Sequence, residues 1–97
     1  MSARLVVAPA AEADLQANFH WYEQRSSGLG VAFLESVEAK LTTITASPQI
    51  FRKRLGHYRL AATARFPFAI YFIWDEAGSL VTVRRILHFK QDRHRRL

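Results

Sequence analysis

The sequence predicts an α+β fold, and three observations carry that expectation. Apolar residues recur at helical spacing twice before Pro48. After Pro48 the period changes to two. Helices and strands therefore fall in separate blocks, which places the helices on one side of a sheet. The arrangement expected is β-α-α-β-β-β, a helix hairpin packed on a mostly antiparallel four-stranded twisted sheet. At 97 residues the chain suits a single domain, 1–97, with a basic tail over 90–97 that frays.

Arg4 to Ala8 reads as a short strand, and Pro9 stands where proline can open a helix. Ala11, Leu15, Phe19 and Tyr22 then mark a helical stripe that runs to Arg25. Glu12 and Asp14 are placed in its first turn, where they suit the positive end of the helix dipole. Arg25 to Gly28 breaks the helix, and Gly28 or Gly30 supplies a left-handed cap. Phe33, Val37, Leu41 and Ile44 form the buried stripe of a second helix, about Val31 to Ala46, which Ser47 and Pro48 end. The short link between the helices makes them antiparallel.

Arg52 to Leu55 and His57 to Ala62 read as short polar strands around Gly56. Arg65 to Asp75 is the strongest strand. It has Phe68, Ile70, Phe72 and Trp74 on one face and Ala69, Tyr71 and Ile73 on the other. Both faces are apolar, so this strand is central and covered on both sides. Asp75 to Ser79 is a hairpin loop, and Leu80 to Phe89 returns as the last strand.

Charge divides the chain. Residues 1–48 carry Arg4, Arg25 and Lys40 against Glu12, Asp14, Glu23, Glu35 and Glu38, a net of −2. Residues 49–97 carry eleven Lys/Arg against Asp75, Glu76 and Asp92, a net of +8. A basic sheet studded with aromatics calls for an anionic partner or a protein with an acidic face. The absence of cysteine removes disulfides and thiolate chemistry and fits a reducing cytosol. The longest uncharged aromatic run, Phe66 to Trp74, is far short of the roughly 20 residues of a membrane helix. A soluble, cytoplasmic protein without a membrane partner is expected.

No phosphate-binding Gly loop, dinucleotide fingerprint or zinc-protease motif is present. His20, His57, His88 and His94 are scattered, so neither a metal nor another cofactor is expected. His88, beside Arg84, Arg85 and Lys90, has two readings. It is a neutral proton acceptor near pH 7, or a ring bonded to backbone where the strand leaves the sheet. Arg59, Arg65, Arg84 and Arg85, with Tyr58 and Tyr71, could grip phosphate and stack on bases, or receive acidic side chains. Adjacent Arg84 and Arg85 point to opposite faces, so one of them turns toward the helix layer and needs a partner. Trp21 lies off its helix stripe, either as an interaction anchor or as cover for a sheet edge.

In order along the chain stand Ala10-Ala-Glu-Ala-Asp-Leu15, Gly30 with Ala32-Phe33, Ser47-Pro48 and Tyr58-Arg59. Arg65-Phe-Pro-Phe-Ala-Ile-Tyr-Phe72, Val83-Arg-Arg-Ile-Leu-His88 and Asp92 complete the set. From Arg4 to Asp92 this series resembles the RelE/ParE toxins of bacterial type II toxin–antitoxin modules, on the ParE-like, plasmid-stabilisation side. The resemblance implies a small basic toxin held inactive by a cognate antitoxin, ParD-like or similar, with an acidic C-terminal segment. It also implies one of two activities. RelE-like members cut messenger RNA on the ribosome, and ParE-like members poison DNA gyrase by binding it.

Cleaving members commonly carry an arginine inside the central strand. The matching position here is Ala69, and no tyrosine follows Tyr71. The expectation is therefore a gyrase-binding toxin with no catalytic residues. Arg52, Arg54, Tyr58, Arg59, Arg65, Arg85, Lys90 and Trp21 are expected to contact antitoxin or target. A ribosome-dependent endoribonuclease is the alternative, using Arg59, Arg84, Arg85 and His88, with His94 as a second proton-transfer candidate. A toxin-like binding protein without activity is a third reading, and an uncovered apolar patch would allow a homodimer of the free toxin.

Overall fold

The computed structural model describes residues 2–92. The chain runs β1 (Arg4–Val7), α1 (Pro9–Arg25), α2 (Leu29–Ala46), a 3-10 turn (Pro48–Ile50), β2 (Lys53–Leu55), β3 (Tyr58–Ala62), β4 (Phe68–Asp75), β5 (Leu80–His88) and α3 (Phe89–Asp92). The strands form one sheet in the order β1-β5-β4-β3-β2. The β1–β5 pair is parallel and the other three are antiparallel.

The sheet has five strands rather than the four expected. Gly56 takes a left-handed φ of 57°, which glycine adopts without a Cβ penalty, and folds β2 back on β3 as a separate edge strand. The central strand starts later than expected, at Phe68. Before it, Arg65 has a φ of 71° and the chain doubles back, with the Phe66 N–H donating to the Ala64 carbonyl and the Thr63 hydroxyl donating to the Phe66 carbonyl. This turn aims the Phe66 ring into the core. The last strand ends at His88, and residues 89–92 form a helical turn rather than frayed tail. The rest of the expected tail, with His94, lies outside the described residues.

One main core lies between the helices and the sheet. Ala11 of α1 and Phe33, Val37 and Ile44 of α2 meet Ala61, Phe68, Ile70, Phe72, Val81, Val83 and Ile86. Phe33 is its hub, with ring centroids 5.4 Å from Tyr22, 5.7 Å from Phe66 and 4.9 Å from Phe68. Burial of such a ring contributes roughly 2–3 kcal/mol, before the further gain from edge-to-face contacts. The expected helical stripes supply this layer.

The hairpin between the helices is closed by a carboxylate. Gly28 has a φ of 88° and turns the chain. Glu23, near the end of α1, accepts hydrogen bonds from the Gly28 N–H at 2.9 Å and the Gly30 N–H at 2.8 Å. It thus caps α2, whose first amide groups have no partners within the helix. These backbone bonds hold the Glu23 carboxyl below its ordinary pKa. Gly30 marks the closest approach of the helices: a Cβ there would lie 2.6 Å from the Phe19 carbonyl oxygen.

Candidate functional site

Antiparallel pairing of β4 and β5 slips by one residue in mid-strand. Tyr71 faces Arg85 and Phe72 faces Val83, so Arg84 is the extra residue of a bulge and is exposed. At the same level β1 ends, its Val7 facing Val83. Beyond that point the edge of β5 has no neighbouring strand among the described residues, and Asp14 of α1 takes its place. Its carboxylate accepts from the Ile86 N–H at 2.9 Å, from Arg85 Nε at 2.8 Å and from a terminal Arg85 nitrogen at 3.0 Å. Asp14 is therefore not a first-turn dipole residue, as expected from sequence; Glu12 alone holds that position. The bond to Asp14 raises the Arg85 pKa, against the opposing effect of burial.

The Tyr58–Arg59 pair splits across the sheet. Arg59 lies beside Phe72 on the helix-side face, where its guanidinium donates to the Phe51 carbonyl at 2.7 Å. Tyr58 is on the other face. There Ala69, Tyr71 and Leu87 are buried, with Tyr58 and Leu60 packed around them, as a second apolar cluster away from the helices. Ala69, at the position where a strand arginine was sought, has no exposed surface.

Among the cations, Arg52, Lys53 and Arg54 lie exposed on or beside the edge strand β2. Arg65 and Lys90 share one end of the sheet, where the Phe89 N–H donates to the Pro67 carbonyl at 2.9 Å. Arg84 is exposed on the bulge. The positive charge is thus divided among the β2 edge, the Arg65 and Lys90 end and the bulge. His88 points to the helix side, its ring 5.3 Å from Phe68, and its Nδ1 accepts from the Lys90 N–H at 3.1 Å. The four residues of the cleavage alternative therefore diverge: Arg59 toward Phe51, Arg85 toward Asp14, Arg84 outward and His88 toward Phe68. Among the described residues no group of His, Asp or Glu is placed to hold a metal ion.

Trp21 is half exposed, and the Arg25 guanidinium carbon lies 4.1 Å from its ring centroid. It borders a cavity against the ends of β4 and β5. Sequence reasoning did not find Asp14 as the partner of Arg85, although the adjacency of Arg84 and Arg85 required one of them to have a partner. Leu60 and Leu87 of the outer cluster carried a period-two signal that was not followed beyond the central strand.

The family model described as the ParE toxin of type II toxin–antitoxin systems, parDE, matches residues 5–93. The chain belongs to the ParE toxin family. As a ParE-family protein it is the toxin component of a type II toxin–antitoxin system. No curated protein sequence matches it significantly. Its ParE fold is shared with the chromosomal ParDE system of P. aeruginosa, at a TM-score of 0.78 and 16% identity over 90% of this chain and 96% of that one. It is also similar to the E. coli RelBE complex, at 0.68 and 13% identity over 90% and 96% of the two chains. The RelBE2 complex of Mycobacterium tuberculosis gives 0.60 and 15% identity over 91% and 99%. At these identities the likeness is one of fold. Among the described residues no helix of this ParE-family chain is long and apolar enough to cross a membrane.

Proposed function

We propose that this toxin inhibits growth by binding DNA gyrase rather than by catalysis, and that a cognate antitoxin neutralises it by laying an acidic segment along the sheet. The observation that carries the first part is the centre of the outer sheet face. Where RNA-cleaving members are expected to place an arginine, Ala69 is sealed beneath Tyr71 and Leu87. Phosphoryl chemistry needs donors and a proton carrier aimed at one point. Among the described residues Arg59 is bonded to the Phe51 carbonyl, Arg85 to Asp14, and His88 lies against Phe68, while Arg84 is exposed. An apolar outer face suits adhesion to a protein surface instead.

The antitoxin part rests on the exposed cations. Arg52 and Arg54 beside β2, and Arg65 and Lys90 at one end of the sheet, match an acidic segment in sign. The two structural neighbours from E. coli and M. tuberculosis are toxin–antitoxin complexes.

The test is a supercoiling assay with purified toxin and gyrase. Loss of supercoiling, or accumulation of cleaved DNA, at saturating toxin is the expected result. Unchanged supercoiling together with new cut ends in translated messages would transfer the assignment to an endoribonuclease. Unchanged supercoiling with normal growth on antitoxin-free expression would leave a binding protein without toxic activity.

A further inference from the structure

Between α1 and the ends of β4 and β5 lies a cavity of about 500 Å³ lined chiefly by Asn18, Trp21, Tyr22, Phe68, His88 and Lys90. It is on the helix side of the sheet and shares no residue with the outer cluster. Its apolar wall is a run of rings: Trp21 is 5.1 Å from Tyr22, Tyr22 is 6.2 Å from Phe68 and Phe68 is 5.3 Å from His88. Trp21, half exposed at the mouth, has the Arg25 guanidinium stacked over it. Phe68 is buried behind the others, and the half-exposed Trp21 offers the flat surface that favours a planar ligand.

The polar groups restrict the ligand further. The Asn18 side-chain nitrogen donates to the Asp14 carbonyl at 2.7 Å, which leaves its amide oxygen without a hydrogen bond among the described residues. The Tyr22 hydroxyl also has no hydrogen bond among them, and burial raises its pKa. A planar ligand with hydrogen-bonding edges meets these groups, whereas a phenyl ring leaves Asn18 and Tyr22 unpaired. Lys90 lines the cavity, Arg25 lies over the Trp21 ring, and no carboxylate is among the described lining residues. An anion attached to a flat heterocycle fits both halves.

We propose that this cavity binds a nucleotide, free or as one unit of a single strand, with the base against Trp21 and the phosphate between Lys90 and Arg25. The assignment depends neither on gyrase nor on the ribosome as the cellular target.

The test uses the full-length chain carrying Trp74→Phe, which makes Trp21 the only tryptophan. Its fluorescence is titrated with adenylate, uridylate, adenosine and inorganic phosphate, and with an acetylated tripeptide of phenylalanine flanked by glutamates. Saturable quenching by the nucleotides is expected, with adenosine weaker and phosphate alone silent. Lys90→Glu should weaken nucleotide binding about threefold to fivefold, the scale of an exposed charge pair, and added salt should do the same. Asn18→Ala should weaken it without changing the salt dependence.

Failure of both nucleotides to saturate the signal by about 10 mM, weaker than any useful site, overturns the proposal. So does tighter binding of the tripeptide, which would make the cavity an anchor for a partner protein. Unchanged nucleotide affinity in both Lys90→Glu and Asn18→Ala overturns it as well. If Trp74→Phe does not fold, the same titrations are read on the unaltered chain from the Trp21 indole N–H resonance, assigned with Trp21→Phe.

Discussion

Replacing Asp14 by alanine removes three hydrogen bonds in one step, two from Arg85 and one from the Ile86 N–H. The losses differ in kind. The Arg85 side chain keeps 29% of its surface exposed and can be rehydrated, so its share falls toward the low end of a charge-assisted bond, about 1 kcal/mol. The Ile86 residue is fully buried, beyond the end of β1, and its N–H would be left without an acceptor, at about 1–3 kcal/mol. Together Asp14→Ala should cost about 3 kcal/mol. For a chain of this size that lowers Tm by roughly 12–24 °C.

Urea denaturation followed by circular dichroism measures the cost directly, and the double-mutant cycle with Arg85→Ala separates its parts. Arg85→Ala alone should cost about 1 kcal/mol, since Asp14 still serves Ile86. The cycle should return a coupling of at least about 0.5 kcal/mol. Asp14→Asn, which keeps one oxygen and the shape, should fall between wild type and alanine. An Asp14→Ala protein within about 0.5 kcal/mol of wild type would refute the argument that a side chain completes the sheet edge.

Three further outcomes follow from the same geometry. Gly30→Ala drives a Cβ into the Phe19 carbonyl and should destabilise by about 1–3 kcal/mol in denaturant melts, despite alanine's better helix propensity. Phe33→Ala empties the ring cluster at the core's centre and should cost about 3–5 kcal/mol, enough to abolish the cooperative thermal transition of a marginal domain. Glu23 is held below its unfolded pKa of 4.5, so its contribution is complete above that value and is lost as pH falls through the lowered folded value. Melting temperatures of wild type and Glu23→Gln should therefore converge as the medium is acidified from neutrality, and a constant gap between them would contradict the cap.

Most of the layer arrangement was legible because it depends on periodicity. The stripe through Phe33, Val37 and Ile44 and the alternation through Phe68, Ile70 and Phe72 both encode which side is buried. The short strand before Gly56 was legible, but not its standing as a separate fifth strand, because β2 has three exposed residues held by pairing with β3 rather than by any apolar alternation of its own. The candidate site was less legible. Arg59 and Arg85 look alike in sequence to exposed Arg54 and Arg65, and only the fold brings the Phe51 carbonyl and Asp14 to them. Bonds between residues as distant as Asp14 and Ile86 leave no trace in local composition. The apolar identity of Ala69 was readable; the dispersal of the cations, with Arg59 on the Phe51 carbonyl and Arg85 on Asp14, was not.

The parallel partner of β1 is β5, with Arg4 facing Leu80 and Val7 facing Val83. β1 therefore waits for β5, and so does Asp14 for Ile86. Everything between Arg4 and Ile86 must be made before the edge strand and this carboxylate find their partners, and pairing over such a distance along the chain is intrinsically slow.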